Sequence, residues 1–119
     1  MDSAKDYKEV LKEVYNAMDD KFATDITILD ISKISGIADY FIIANGNNPN
    51  QVKAIADAAS EALYKKGEKA RHSEGYQTAS WVLLDFYNIV IHIFNKEDRE
   101  FYNLERLWGD AKAIYINDL

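Results

Sequence analysis

The sequence predicts one mixed α/β domain: a mixed β-sheet of about five strands with flanking helices. Three observations predict it. Two stretches, 3–19 and 49–66, carry apolar residues at helical spacing. Two short runs, 25–31 and 39–46, have the length and composition of strands. The segment "WVLLDFYNIVIHIF", 81–94, alternates its side chains on either side of a short turn, as a hairpin does.

In the first helix Tyr7, Val10, Leu11, Val14, Tyr15 and Met18 share one face, and Ser3 can cap it with Asp6 three residues on. "DITILDI", 25–31, then alternates Ile and Thr around Leu29, and a turn at Gly36 follows. "DYFIIANG", 39–46, is nearly continuous in apolar residues, as in a strand covered on both sides.

"NGNNPNQV", 45–52, invites comparison with a phosphate loop, since a helix start offers free N–H groups to anions. It lacks both the G-x-x-x-x-G-K-[ST] and the G-x-G-x-x-G pattern. A helix cap explains it better, with Asn48 as N-cap, Pro49 first in the helix and Gln51 completing a capping box. Val52, Ile55, Ala59 and Leu63 line the second helix. Lys65 and Lys66 suit its C-terminal dipole, and Gly67 can end it. A third strand is expected near 69–74.

With Tyr87-Asn88 as the turn, the hairpin pairs Phe86 with Ile89, Asp85 with Val90, Leu84 with Ile91, Leu83 with His92, Val82 with Ile93 and Trp81 with Phe94. Cross-strand partners share a face. Val82, Leu84, Phe86, Ile89, Ile91 and Ile93 therefore form a wholly apolar core face. The other face is Trp81, Leu83, Asp85, Val90, His92 and Phe94, too apolar for a solvated sheet surface. Either a helix from the tail "REFYNLERLW" covers it, or it meets a partner, and partial cover would leave Trp81 at a rim. Short helical turns are expected after Phe94.

Composition bounds the function. The 119 residues fit one domain, 1–119, with a substantial core. Fourteen basic against twenty acidic residues give a net charge of −6. That disfavours general binding to nucleic acid or an anionic membrane and suits a basic partner. There is no cysteine, so neither a disulfide framework nor a thiol nucleophile. The N-terminus lacks an apolar signal core, and no apolar run reaches spanning length, which points to a cytoplasmic protein without a membrane role. His72 and His92 stand far apart without companion ligands, so no metal or other cofactor is expected. There is no G-x-S-x-G elbow. A diagonal His92–Asp85 pair reads as a polar spot in a binding face rather than a base and its orienter.

Three segments together, "ADYFIIANGNNPNQVKAIAD" (38–57), "WVLLDFYNIVIHIF" (81–94) and "REFYNLERLWGDA" (99–111), resemble the Iojap family, the bacterial ribosomal silencing factors. The resemblance runs from Tyr7 to Ala111. Two positions depart from the family pattern: Tyr87-Asn88 stands where Gly-Asp is usual, and Asn50 where a basic residue is common. The resemblance implies a nucleotidyltransferase-like fold without the catalytic motif. It also implies a translational repressor that binds protein fourteen of the large ribosomal subunit and blocks joining with the small subunit, especially under nutrient limitation. The position of Trp81 falls in the family's partner-binding region. Strand alternation extends the site to Leu83, Asp85 and His92, with Tyr76, Tyr102 and Trp108 as further aromatic candidates. The competing classes are a nucleotidyltransferase using Asp25 or Asp30 with the Gly46 turn, and a ribosome assembly factor. The sequence leaves the oligomeric state of the free protein open, a homodimer included.

Overall fold

Two helices lie side by side on one face of a sheet, and the sequence dictates which of their residues point inward. The structure, a computed structural model, describes residues 7–34, 36, 38–102 and 109–119, with backbone only at 100–102. Helix α1, Tyr7–Asp19, buries Val10, Leu11, Val14 and Met18, while Tyr7 and Tyr15 pack at its margin. The expected beginning at residue 3, with Ser3 as cap, lies outside the described residues. Helix α2, Pro49–Lys65, packs beside α1 and buries Val52, Ile55, Ala56, Ala59 and Leu63.

The caps of α2 follow from its end residues. Asn48 Oδ1 accepts the Gln51 N–H at 2.9 Å. Gln51 does not return the bond to Asn48, as a capping box would require. Its Oε1 accepts from the Asn47 N–H, and its Nε2 donates to the carbonyls of Lys21 and Phe22. The same side chain thus ties the start of α2 to the turn after α1. At the other end Gly67 takes φ +84°, while the N–H groups of Gly67 and Glu68 close on the carbonyls of Tyr64 and Leu63.

Six strands occur among the described residues: β1 Thr24–Asp30, β2 Tyr40–Gly46, β3 His72–Glu74, β4 Trp81–Phe86, β5 Ile89–Asn95 and β6 Lys112–Ile114. Their order is β3-β4-β5-β2-β1-β6. The central β2–β5 pair is parallel and the others are antiparallel, so the sheet is mixed. Strand β6 was not foreseen. It adds a short edge to β1, and three residues are too few for a periodicity to show in sequence. The tail also contributes α3, Lys96–Tyr102, and a 3-10 turn, Ile116–Asp118.

The hairpin has the predicted register at all six pairs, from Phe86–Ile89 to Trp81–Phe94. Tyr87 turns the chain at φ +67°, a conformation that favours glycine. Three contacts hold it there. Its N–H donates to Asp85 Oδ1 at 2.9 Å, its ring lies under the Arg71 guanidinium, and its neighbour Asn88 donates to Tyr7 Oη. Val82, Leu84, Phe86, Ile89, Ile91 and Ile93 join the core beneath α1 and α2. The opposite face has its own apolar cluster, built on Leu29, Ile31, Phe41, Ile43, Val90 and Phe94.

Candidate partner-binding site

Burial across that second face is graded. Phe94 and Ile43 in the middle strands are fully buried, and His92 is only 4% exposed. Trp81, Leu83 and Asp85 on β4 are half-buried, and the whole of β3 is exposed. Helix α3 packs against β5 and β2. It is pinned there by Arg99, which donates to the Asp25 carbonyl at 2.6 Å, to Asn45 Oδ1 at 3.1 Å and to Thr27 Oγ1 at 3.2 Å. Of the tail segment expected to cover this face, α3 packs on the middle strands, and residues 103–108 lie outside the described residues. The centre of the face is core, and its β3–β4 edge is surface.

Trp81 is at that boundary. Its ring stacks on Phe94 with centroids 5.2 Å apart, and its Nε1–H donates to His92 Nδ1 at 3.1 Å. His92 in turn meets the Phe41 ring edge-to-face at 4.7 Å. Burial pushes the imidazole pKa down to about 4, so the ring is neutral at pH 7. His92, expected among the partner contacts, is thus enclosed in this fold, and what it touches is Trp81 and Phe41.

The diagonal His92–Asp85 pair is not formed. Asp85 Oδ2 accepts from Arg71 Nη2 at 2.8 Å and Nε at 3.1 Å, while Oδ1 holds the Tyr87 N–H. Its charge is already matched inside the fold. Glu74, the acid of β3, shares a face with Leu83 and is bonded to His72. Arg71, His72, Glu74 and Tyr87 thus fringe the Trp81–Leu83 patch, and the sequence reading missed all four. A polar strand of three residues shows no alternation from which to read a face.

The remaining candidates separate from this patch. Tyr76 is on the helix side of the sheet: its hydroxyl donates to Asp57 at 3.1 Å and Lys53 sits over its ring. Tyr102 ends α3, and its side chain lies outside the described residues, as does Trp108.

The residues proposed for phosphoryl chemistry do not converge. Asp25 and Asp30 lie near opposite ends of β1, roughly 13 Å apart at strand rise once the bulge at Asp25 is allowed for. The Asp25 carboxylate accepts from Asn45, and the Asp30 carboxylate accepts from Ser32, which lowers its pKa. A Cβ on Gly46 would meet Val52 Cγ2 at 2.8 Å and Val52 N at 3.0 Å, so this glycine permits close strand–helix packing. Among the described residues there is no cluster of metal-ligating side chains, and no helix is long and apolar enough to cross a membrane.

Comparison with known proteins agrees with this architecture. The family profile "Ribosomal silencing factor during starvation" matches residues 4–119. The ribosomal silencing factor of Bacillus subtilis is 46% identical over 104 residues, covering 87% of this chain and 88% of that protein. The one from Halalkalibacterium halodurans is 43% identical over 109 residues, covering 92% and 93%. A crystal structure from Chromobacterium violaceum superposes with a TM-score of 0.83 at 34% identity, covering 87% of each chain. With its profile matched nearly end to end and its fold shared at that level of identity, the chain belongs to the ribosomal silencing factor family.

Proposed function

We propose that this protein represses translation by steric exclusion. It would bind protein fourteen of the large ribosomal subunit, on the surface that meets the small subunit, and so block subunit joining when nutrients are scarce. The observation that carries this reading is the half-buried Trp81–Leu83 patch at the open β3–β4 edge. An aromatic anchor with a charged fringe has the composition of an interface hot spot. The family description, a ribosomal silencing factor during starvation, and the relatives' names, ribosomal silencing factors, support a role at the ribosome. The net charge of −6 favours a basic protein surface over bare RNA.

No bond is made or broken in this mechanism. Occupancy alone inhibits, so inhibition saturates as the large subunits fill. Sedimentation of purified large subunits with the protein, followed by addition of small subunits, tests it. Stoichiometric co-sedimentation with loss of joined ribosomes is expected. Joining that proceeds unchanged on saturated large subunits would overturn it.

A further inference from the structure

The orientation of the Trp81 ring is set in part by its stacking on Phe94 and in part by its indole N–H. The Trp81 Nε1–H is bonded to a buried side chain. The His92 ring is buried between Phe41 and Trp81, with Leu83 and Ile43 as its strand neighbours. Because Nδ1 accepts the indole hydrogen, the neutral ring carries its own proton on Nε2. That nitrogen is buried and has no hydrogen-bond partner among the described residues. An unpaired buried N–H opposes folding, and an apolar ring would fill the same place without that cost. Stability alone thus does not account for an imidazole here, whereas the bond to Trp81 does.

We infer that His92 is the positioning residue of the ribosome contact, its buried Nδ1 holding the Trp81 indole in the orientation that a partner meets. The inference rests on the reading of Trp81 as the anchor. The charged groups on adjoining elements do not compete for the ring. Asp85 on β4 is held by Arg71, and Arg99 on α3 is held by Asp25 and Asn45. Burial keeps the imidazole neutral at pH 7, so Nδ1 remains an acceptor.

The test compares the full chain with its His92→Phe, His92→Asn and Trp81→Ala variants. Phenylalanine keeps the ring packing and removes the acceptor; the asparagine amide oxygen restores an acceptor near the Nδ1 position. The Trp81 indole N–H resonance, assigned with Trp81→Phe, reports the bond directly, and titration with isolated large subunits reports the contact. In His92→Phe we expect the indole N–H to lose its hydrogen-bonded shift and its protection from exchange. Subunit affinity should fall about three- to tenfold, with substantial recovery in His92→Asn. A folded His92→Phe with the indole signal and affinity of the parent would overturn the role. Parent-like affinity in His92→Phe beside a clear loss in Trp81→Ala would overturn the role of His92 alone. Parent-like affinity in Trp81→Ala would overturn the proposed anchor, and this role with it.

Discussion

Asp85 looks in sequence like a surface acid whose replacement should be silent for folding, but the structure predicts otherwise. In Asp85→Ala two interactions disappear. One is the hydrogen bond from the Tyr87 N–H, 2.9 Å long, which supports a non-glycine residue at φ +67°. A bond of this kind contributes about 1 kcal/mol. The other is the two-pronged contact with Arg71, whose side chain is 45% exposed while that of Asp85 is 15% exposed. Solvent screening limits such a pair to about 0.2–1 kcal/mol. Together the loss is about 1–2 kcal/mol, or a melting temperature lower by about 3–8 °C for a domain of this size. Asp85→Lys should lie at the upper end, since it adds a cation beside Arg71. A double-mutant cycle with Arg71→Ala should return a coupling of about 0.5–1 kcal/mol, reduced in 1 M salt, where screening is strong. Thermal melting of Asp85→Ala indistinguishable from the parent, or full additivity with Arg71→Ala, would refute the reasoning.

Three further outcomes follow from the same structure. Leu84→Ala should cost about 2–3 kcal/mol in urea unfolding, the lower part of the range for core truncations, because Leu84 floors a groove beside Tyr64 and Tyr76 that solvent reaches; a neutral result would mean that the core face is misassigned. Tyr87→Gly should raise stability by up to about 1 kcal/mol by relieving the positive φ, less whatever the Arg71–Tyr87 stacking contributes, and a lower melting temperature would show that the stacking dominates. The pKa of His92 is lowered from 6.5 to about 4, so between these values the unfolded chain binds the extra proton; its contribution is therefore complete above pH 6.5 and is lost as the pH falls toward 4, by about 3 kcal/mol in all. Urea midpoints at pH 7 and pH 4.5 should show a smaller drop for His92→Phe than for the parent, and parallel drops would contradict this assignment.

The parts of the fold that periodicity encodes were legible in the sequence. The buried stripes of α1 and α2, the caps at Asn48 and Gly67 and the six hairpin pairs all follow from spacing and from residues with fixed backbone preferences. Tyr87-Asn88 kept the predicted register despite an unfavourable φ, because the two faces of β4 and β5 differ so strongly that a one-residue slip would expose the core. What could not be read were contacts between segments distant in sequence. Arg71 claims Asp85, Arg99 reaches Asn45 across 54 positions, and Tyr76 turns to α2; none of these leaves a local pattern. The geometry of the candidate site was legible to the same extent. Trp81 and Leu83 fall on the expected face at an open edge, whereas the burial of His92 and the fringe at Arg71, His72 and Glu74 depend on the short strand β3 and on neighbouring layers.

The most direct test of the central claim is the affinity of Trp81→Ala for isolated large ribosomal subunits, measured on protein shown by circular dichroism to be folded. A tryptophan buries roughly 150–250 Å², and about a third of Trp81 at most is left exposed by the fold. The remaining area, at most roughly 90 Å², corresponds to about 2 kcal/mol before ordering and desolvation costs. A net loss of about 1–2 kcal/mol, roughly five- to thirtyfold in Kd, is predicted, with a matching loss of inhibition of subunit joining. A folded Trp81→Ala protein that binds and inhibits like the parent would contradict the account and leave Trp81 a part of the core.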